Sequence, residues 1–213
     1  HFPQGRPDWA AQFTNDVAAW ETMKLRLLNG AHSSLAYLGY LSGRETVAEA
    51  MVDEAMARFV RRLMDEEVTP VLRVPAGADV PAYKDALITR FRNPALKHRT
   101  WQIAMDGSQK LPQRLLGTVR DRLAAGASVT LLAHGVAAWM RYVSGMDEKG
   151  QPIDVRDPMA AELKRRAGEG TLLDVQAIFG TDLPANETFR AAVNAAFQSL
   201  TTKGAAATLR ELV

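Results

Sequence analysis

Between Ser128 and Val143 the chain is apolar on nearly every side. Val129, Leu131, Leu132, Ala133, Val136, Ala137, Ala138, Trp139 and Met140 leave no continuous polar stripe at helical spacing. A helix without a wet face has to be enclosed by other elements. About sixteen residues fall short of the ~20 that span a bilayer, so this run predicts a central core helix with other helices packed around it.

The remainder of the chain supplies those helices. Apolar residues recur at three and four from Asn15 (Val17, Trp20, Met23, Leu27, Leu28), resume from Ala31 to Leu41, and continue from about Thr46 to Glu67. Asn29-Gly30 reads as a kink or stop, because both residues tolerate left-handed conformations. Pro70 halts the third pattern, and the stretch from Val74 to Pro81 reads as a loop. Further patterns cover Pro81 to Phe91, His98 to Met105, Leu111 to Ala125, Pro158 to Ala167, Thr171 to Phe179, Asn186 to Leu200 and Ala205 to Leu212. Ser128 reads as the cap of the central helix, Asp106-Gly107-Ser108 as a turn, and Gly145 to Pro158 as a polar loop. The first dozen residues, with Pro3, Gly5 and Pro7, read as an extended strap anchored by Trp9. The one β-branched stretch, Val68 to Val74, contains Pro70 and cannot be a central strand. The expectation is a single all-α domain of nine or ten helices. The chain has no GxGxxG, P-loop or GxSxG motif.

Charge and composition exclude several functions. Lysine and arginine number 26 against 24 acids, a formal net charge of +2, and the short basic runs at Arg61-Arg62 and Lys164 to Arg166 are interleaved with acids. That is no basic stripe for nucleic acid. Asp53, Glu54, Asp65, Glu66 and Glu67 read as a solvated face. The absence of cysteine excludes disulfides, thiolate metal sites and thiol catalysis, and suits a cytoplasmic protein. No apolar run is long enough for a membrane span, and the N-terminus has neither a signal-peptide pattern nor an initiator methionine, so the chain reads as processed or as a fragment. His1, His32, His98 and His134 lack HxxxH or HExxH spacing, and no metal is expected. His134 reads as a satisfied core histidine, and Trp20, Trp101 and Trp139 as core.

The chemistry concentrates in Glu21-Thr-Met-Lys24-Leu-Arg-Leu-Leu-Asn29-Gly-Ala-His32-Ser33. On an ideal helix at about 100° per residue, Glu21, Lys24, Asn29 and His32 share an arc of roughly 140°. Among Met23, Leu27, Leu28 and Leu35, such groups must satisfy one another or a ligand. A desolvated lysine becomes a competent acid or base near neutral pH, and an amide N–H and an imidazole N–H can both meet an oxygen gaining negative charge. Spacing alone leaves a second reading open: Lys24 and Glu21 as a surface pair, with Asn29 and His32 serving a helix kink.

The order of segments around this cluster resembles the C-terminal domain of the long-chain mannitol dehydrogenase family. The resemblance runs through Phe2-Pro-Gln-Gly-Arg-Pro-Asp-Trp9, Glu21 to Gly39, Arg90-Phe-Arg-Asn-Pro-Ala95, His98 to Pro112, Gly135 to Tyr142 and Asp182-Leu-Pro184. It implies a multi-helix domain of the 6-phosphogluconate dehydrogenase C-terminal-like fold over residues 1–213, partnered by an N-terminal Rossmann domain of the same polypeptide that binds NAD. It implies metal-independent oxidoreductase chemistry on a small-molecule sugar acid or polyol, with Lys24 as general acid/base, Asn29 and His32 holding the reacting oxygen, and Glu21 passing the proton to solvent. Lys110 matches a basic residue lining the substrate chain. Gln102 stands eight residues before it, where mannitol dehydrogenases have arginine. The wording from His98 to Pro112 looks most like the fructuronate reductase branch, which turns D-fructuronate into D-mannonate. Mannitol 2-dehydrogenase and tagaturonate reductase are the alternatives within the family, and a non-catalytic helical interaction domain is the alternative outside it.

Overall fold

The computed structural model describes residues 16–213; the strap of the first dozen residues and Trp9 lie outside them. The described residues open with one uninterrupted helical run: α1 (Val17–Met23), a π-helical segment Lys24–Gly30, and α2 (Ala31–Leu41). The Asp16 carboxylate starts it by accepting from the Ala19 amide at 3.2 Å. Asn29-Gly30 therefore ends nothing: Gly30 has ordinary right-handed helical angles (φ −65°, ψ −52°). What the sequence marks there is a change of winding rather than a break.

The pattern from Thr46 to Glu67 is not one helix either. It divides into α3 (Val47–Ala50), α4 (Glu54–Arg62) and a π-helical Leu63–Val68. Thr46 and Glu49 form a reciprocal capping box at the first start, and Asp53 caps the second by accepting from the Ala55 amide at 2.9 Å. After a 3-10 turn and the loop that the sequence places before Pro81 come α5 (Val80–Phe91), α6 (Thr100–Ala104) and α7 (Gly107–Leu111). A third π-helical segment, Pro112–Leu116, leads into α8 (Gly117–Ala124), followed by α9 (Thr130–Val143) and α10 (Ala160–Glu169). The chain closes with α11 (Gln176–Phe179), α12 (Asp182–Ala185), α13 (Glu187–Lys203) and α14 (Ala205–Leu212). Shorter pieces make fourteen α-helices among the described residues where nine or ten were expected. The described residues contain no strand, only the isolated bridges Thr46–Arg99 and Met146–Pro152.

As its composition requires, α9 is the axis of the core. Every residue from Leu131 to Met140 is buried, with α2 packed on one side and α13 on another. The approach of α2 is close: a Cβ at Gly135 would lie 2.5 Å from the Ser34 hydroxyl. Trp139 is fully buried, and Trp20 and Trp101 are half-buried against the core. His134 is satisfied through Nδ1 and the Thr130 carbonyl at 2.7 Å.

Ser128 does not cap this helix in the usual way. The carboxylate of Glu67 does, accepting from the Leu131 and Leu132 amides at 2.8 Å each. Glu67 is only 3% exposed, so it leaves the solvated face to which the sequence pattern assigned it. The unsatisfied N–H groups and positive dipole end of α9 explain why a carboxylate is tolerated there. Burial still pushes its pKa up, against the pull of the two backbone amides.

Candidate active site

The run from α1 to α2 carries all four residues of the sequence cluster, and the wide turn changes their arrangement. In a π-helix the backbone bonds run from i to i+5, so Asn29 comes nearly above Lys24 rather than ~140° away. Such segments occur disproportionately at functional sites. Glu21 and Lys24 are exposed and border a hollow of about 380 Å³ with Val17, Trp20, Met23 and Tyr83. No ion pair joins the two among the described residues, and Lys24 is not buried among the apolar residues as the sequence pattern suggests. Asn29 is half-buried.

One wall of this region is α5. Tyr83 borders the Lys24 hollow, and Phe91 stacks on His32 with ring centroids 5.2 Å apart and planes 15° from parallel. His98 faces the same imidazole at 5.7 Å. The segment bearing His98 is fixed by the Val47 amide donating to the His98 carbonyl and the Thr100 amide donating to the Glu45 carbonyl, each at 2.9 Å. Burial, then the charges of His98, Arg114, Arg90 and Lys110, lower the His32 pKa to about 4. At neutral pH the ring is uncharged, and its buried Nε2 has no hydrogen-bond partner. A buried polar atom left this way ordinarily has a purpose or a missing ligand.

The third wall comes from α7 and the segment after it. Asp106 starts α7 with a left-handed φ of +54°, held by its amide donating to the Arg156 carbonyl at 2.9 Å. Asp157 clamps the next turn, accepting from the Ser108 amide at 2.8 Å and hydroxyl at 2.6 Å. Lys110 lies in this wall, but its ammonium donates to the Met105 carbonyl and more weakly to that of Ile103, with Asp106 at 3.8 Å. Burial and the neighbouring Arg114 lower its pKa. Gln102 is exposed on α6. Sequence reasoning missed Arg114, Phe91 and the contact of His98. Arg114 is four residues after Lys110 on the same helical face, and that spacing is the signal that could have found it.

The model of the mannitol dehydrogenase C-terminal domain matches residues 16–201. The chain belongs to this family. D-mannonate oxidoreductase of Escherichia coli is 52% identical over 215 residues, covering 96% of this chain and 44% of that protein. A mannitol 2-dehydrogenase of Phaeosphaeria nodorum is 37% identical over 219 residues, covering 99% of this chain and 38% of that protein. Among solved structures, the ternary complex of Pseudomonas fluorescens mannitol 2-dehydrogenase with NAD and D-mannitol superposes with a TM-score of 0.91 at 38% identity, over 98% of this chain and 44% of that one. The chain thus spans less than half the length of these relatives. The relatives are named as oxidoreductases and dehydrogenases, the class to which this domain family belongs.

The α1–α2 run of this family member gathers hydrogen-bond donors of several kinds. An ammonium, an amide and a neutral imidazole are donors for an alcohol or carbonyl oxygen. No group of three or more His, Asp or Glu that could hold a metal ion occurs among the described residues.

Proposed function

We propose that this chain is the substrate-binding and catalytic domain, over residues 1–213, of an NAD-dependent sugar-acid dehydrogenase, interconverting D-fructuronate and D-mannonate. NAD, held by an N-terminal Rossmann domain of the whole protein, supplies or accepts the hydride. The residues of this chain manage the oxygen. In the reductive direction the carbonyl oxygen gains negative charge, and the Lys24 ammonium delivers its proton there. The Asn29 amide and the neutral His32 ring donate to the same oxygen and hold it, while Glu21 at the rim exchanges the proton of Lys24 with solvent. In the oxidative direction Lys24 takes the proton back.

The observation that carries this reading is the buried, unpartnered Nε2 of a neutral His32 on the helical run that carries Lys24 and Asn29. The 52% identity to D-mannonate oxidoreductase favours the hexuronate over the polyol. A polyol substrate is the second reading, favoured by the likeness to the mannitol 2-dehydrogenase complex. The test is to assay D-fructuronate, D-tagaturonate and D-fructose with the whole protein. D-fructuronate should lead in kcat/KM by about ten- to a hundredfold over D-fructose, the worth of one charge-assisted hydrogen bond. Fructose matching both uronates would overturn the sugar-acid reading, and tagaturonate in the lead would move the substrate to its epimer.

A further inference from the structure

Arg114 shares with Arg141 a contact to a serine hydroxyl and a buried, unpartnered Nε, but of the two it is Arg114 whose charge acts on His32. Its guanidinium Nη1 donates to the Ser33 hydroxyl at 2.9 Å, and its Nε is buried with no partner at all. No acidic side chain among the described residues forms an ion pair with it. Arg120, by contrast, grips Asp182 through two nitrogens at 2.6 and 2.9 Å, and Arg26 is paired with Asp121. A half-buried cation without a counter-charge is costly unless something anionic joins it.

The surroundings sharpen that argument. Arg114 shares its neighbourhood with Lys110, Arg90 and His98, all of whose charges reach the His32 ring. Among the described residues, the acidic groups that act on Lys110 and on the neighbouring Tyr37 are Asp106 and Asp157. Asp157 is engaged with Ser108, and Lys110 already donates to backbone carbonyls. The net field at the His32 end of the cluster is therefore positive, with one planar fork of donors largely unused. That fork is also close to the reacting groups. A Cβ at Gly30 would lie 2.6 Å from the Arg114 backbone oxygen, so Arg114 abuts the residue after Asn29 while its guanidinium reaches the residue after His32.

We propose that the Arg114 guanidinium, rather than the Lys110 ammonium or Gln102, is the anchor for the substrate's terminal carboxylate and so sets the preference for a sugar acid over a polyol. The proposal rests on the sugar-acid reading above. Arginine suits the task because its rigid fork accepts a carboxylate through two parallel N–H···O bonds, which an ammonium cannot do.

D-mannonate and D-mannitol differ only at the terminal carbon, carboxylate against hydroxymethyl, and the whole protein should be assayed on both. In Arg114→Gln, kcat/KM for D-mannonate should fall about ten- to a hundredfold, mainly through KM, with D-mannitol changing less than about threefold. Arg114→Lys, which keeps the charge but loses the fork, should fall between parent and Arg114→Gln, and it carries the test if the glutamine variant does not fold. Lys110→Met should leave the mannonate-to-mannitol ratio intact. Equal losses on both substrates would make Arg114 merely structural and overturn the proposal, as would a preference unchanged in Arg114→Lys and Arg114→Gln. Inhibition by glycolate separates the two readings. If the parent prefers mannitol yet glycolate inhibits it through Arg114, the anion anchor stands and the sugar-acid reading falls. If mannonate is preferred and Arg114→Gln leaves that preference and glycolate inhibition unchanged, the anchor falls and the sugar-acid reading stands.

Discussion

His32 couples the site to stability through its proton. Its pKa lies at about 4 in the folded chain against an ordinary 6.5, so the unfolded chain binds the proton first as the pH falls. The folded state keeps its full advantage above pH 6.5, loses it progressively between 6.5 and 4, and loses no more below 4. The loss amounts to about 3 kcal/mol. Urea midpoints should therefore fall more steeply from pH 7 to 4.5 in the parent than in His32→Phe, which keeps a ring against Phe91; parallel slopes would place the proton elsewhere. For Lys24, replacement by alanine in the whole protein should lower the chemical step by about 10²–10⁴-fold with NADH affinity nearly unchanged. A loss under about tenfold would show that another group moves the proton. That Lys24, Asn29 and His32 lie on one helical run was legible because one short stretch holds them all. Arg114 was legible only as a basic residue four after Lys110; that it faces His32 without a counter-charge is set by the packing of distant segments.

The same contrast holds for helices. The central α9 was legible from its composition, since no other environment accepts an all-apolar helix of that length. Its cap was not, because Glu67 reaches the Leu131 amide from 64 residues earlier in the chain. The break before α4 left a readable sign in Asp53 and in the Thr46/Glu49 box, but the apolar stripe runs straight through it. The π-helical segments left little: Asn29-Gly30 ends one and Pro112 opens another, but neither tells a change to i+5 bonding from a kink or stop. Glu67→Gln isolates the cap: an amide keeps one acceptor oxygen but turns an N–H₂ toward the second backbone N–H. The expected loss is about 1–3 kcal/mol, with Tm lowered by about 2–4 °C per kcal/mol in a chain of this size. A melting temperature equal to the parent's would mean that the dipole of α9 needs no carboxylate.

For the whole molecule, all-α character was legible from the residue pattern, whereas the proposed division of labour came only through the family resemblance, since half of the proposed chemistry belongs to residues outside this chain. The 213-residue chain on its own should melt in one cooperative transition and yet show no NADH-dependent reduction of D-fructuronate, because its described helices offer no dinucleotide cradle; turnover by the chain alone would contradict that separation. Cooperativity follows from the position of α9 between α2, which carries His32, and α13. From Leu131 to Met140 no face of α9 is open to water, so these amides cannot reach solvent by lifting one neighbour. Hydrogen exchange there has to wait for the entire domain to open, and the deuterium clock of α9 then reads the global unfolding free energy directly. The helix that orients the imidazole borrows its rigidity from that slowest-exchanging element, so a ligand binding only the folded site should slow exchange at α9, an element that need not touch it.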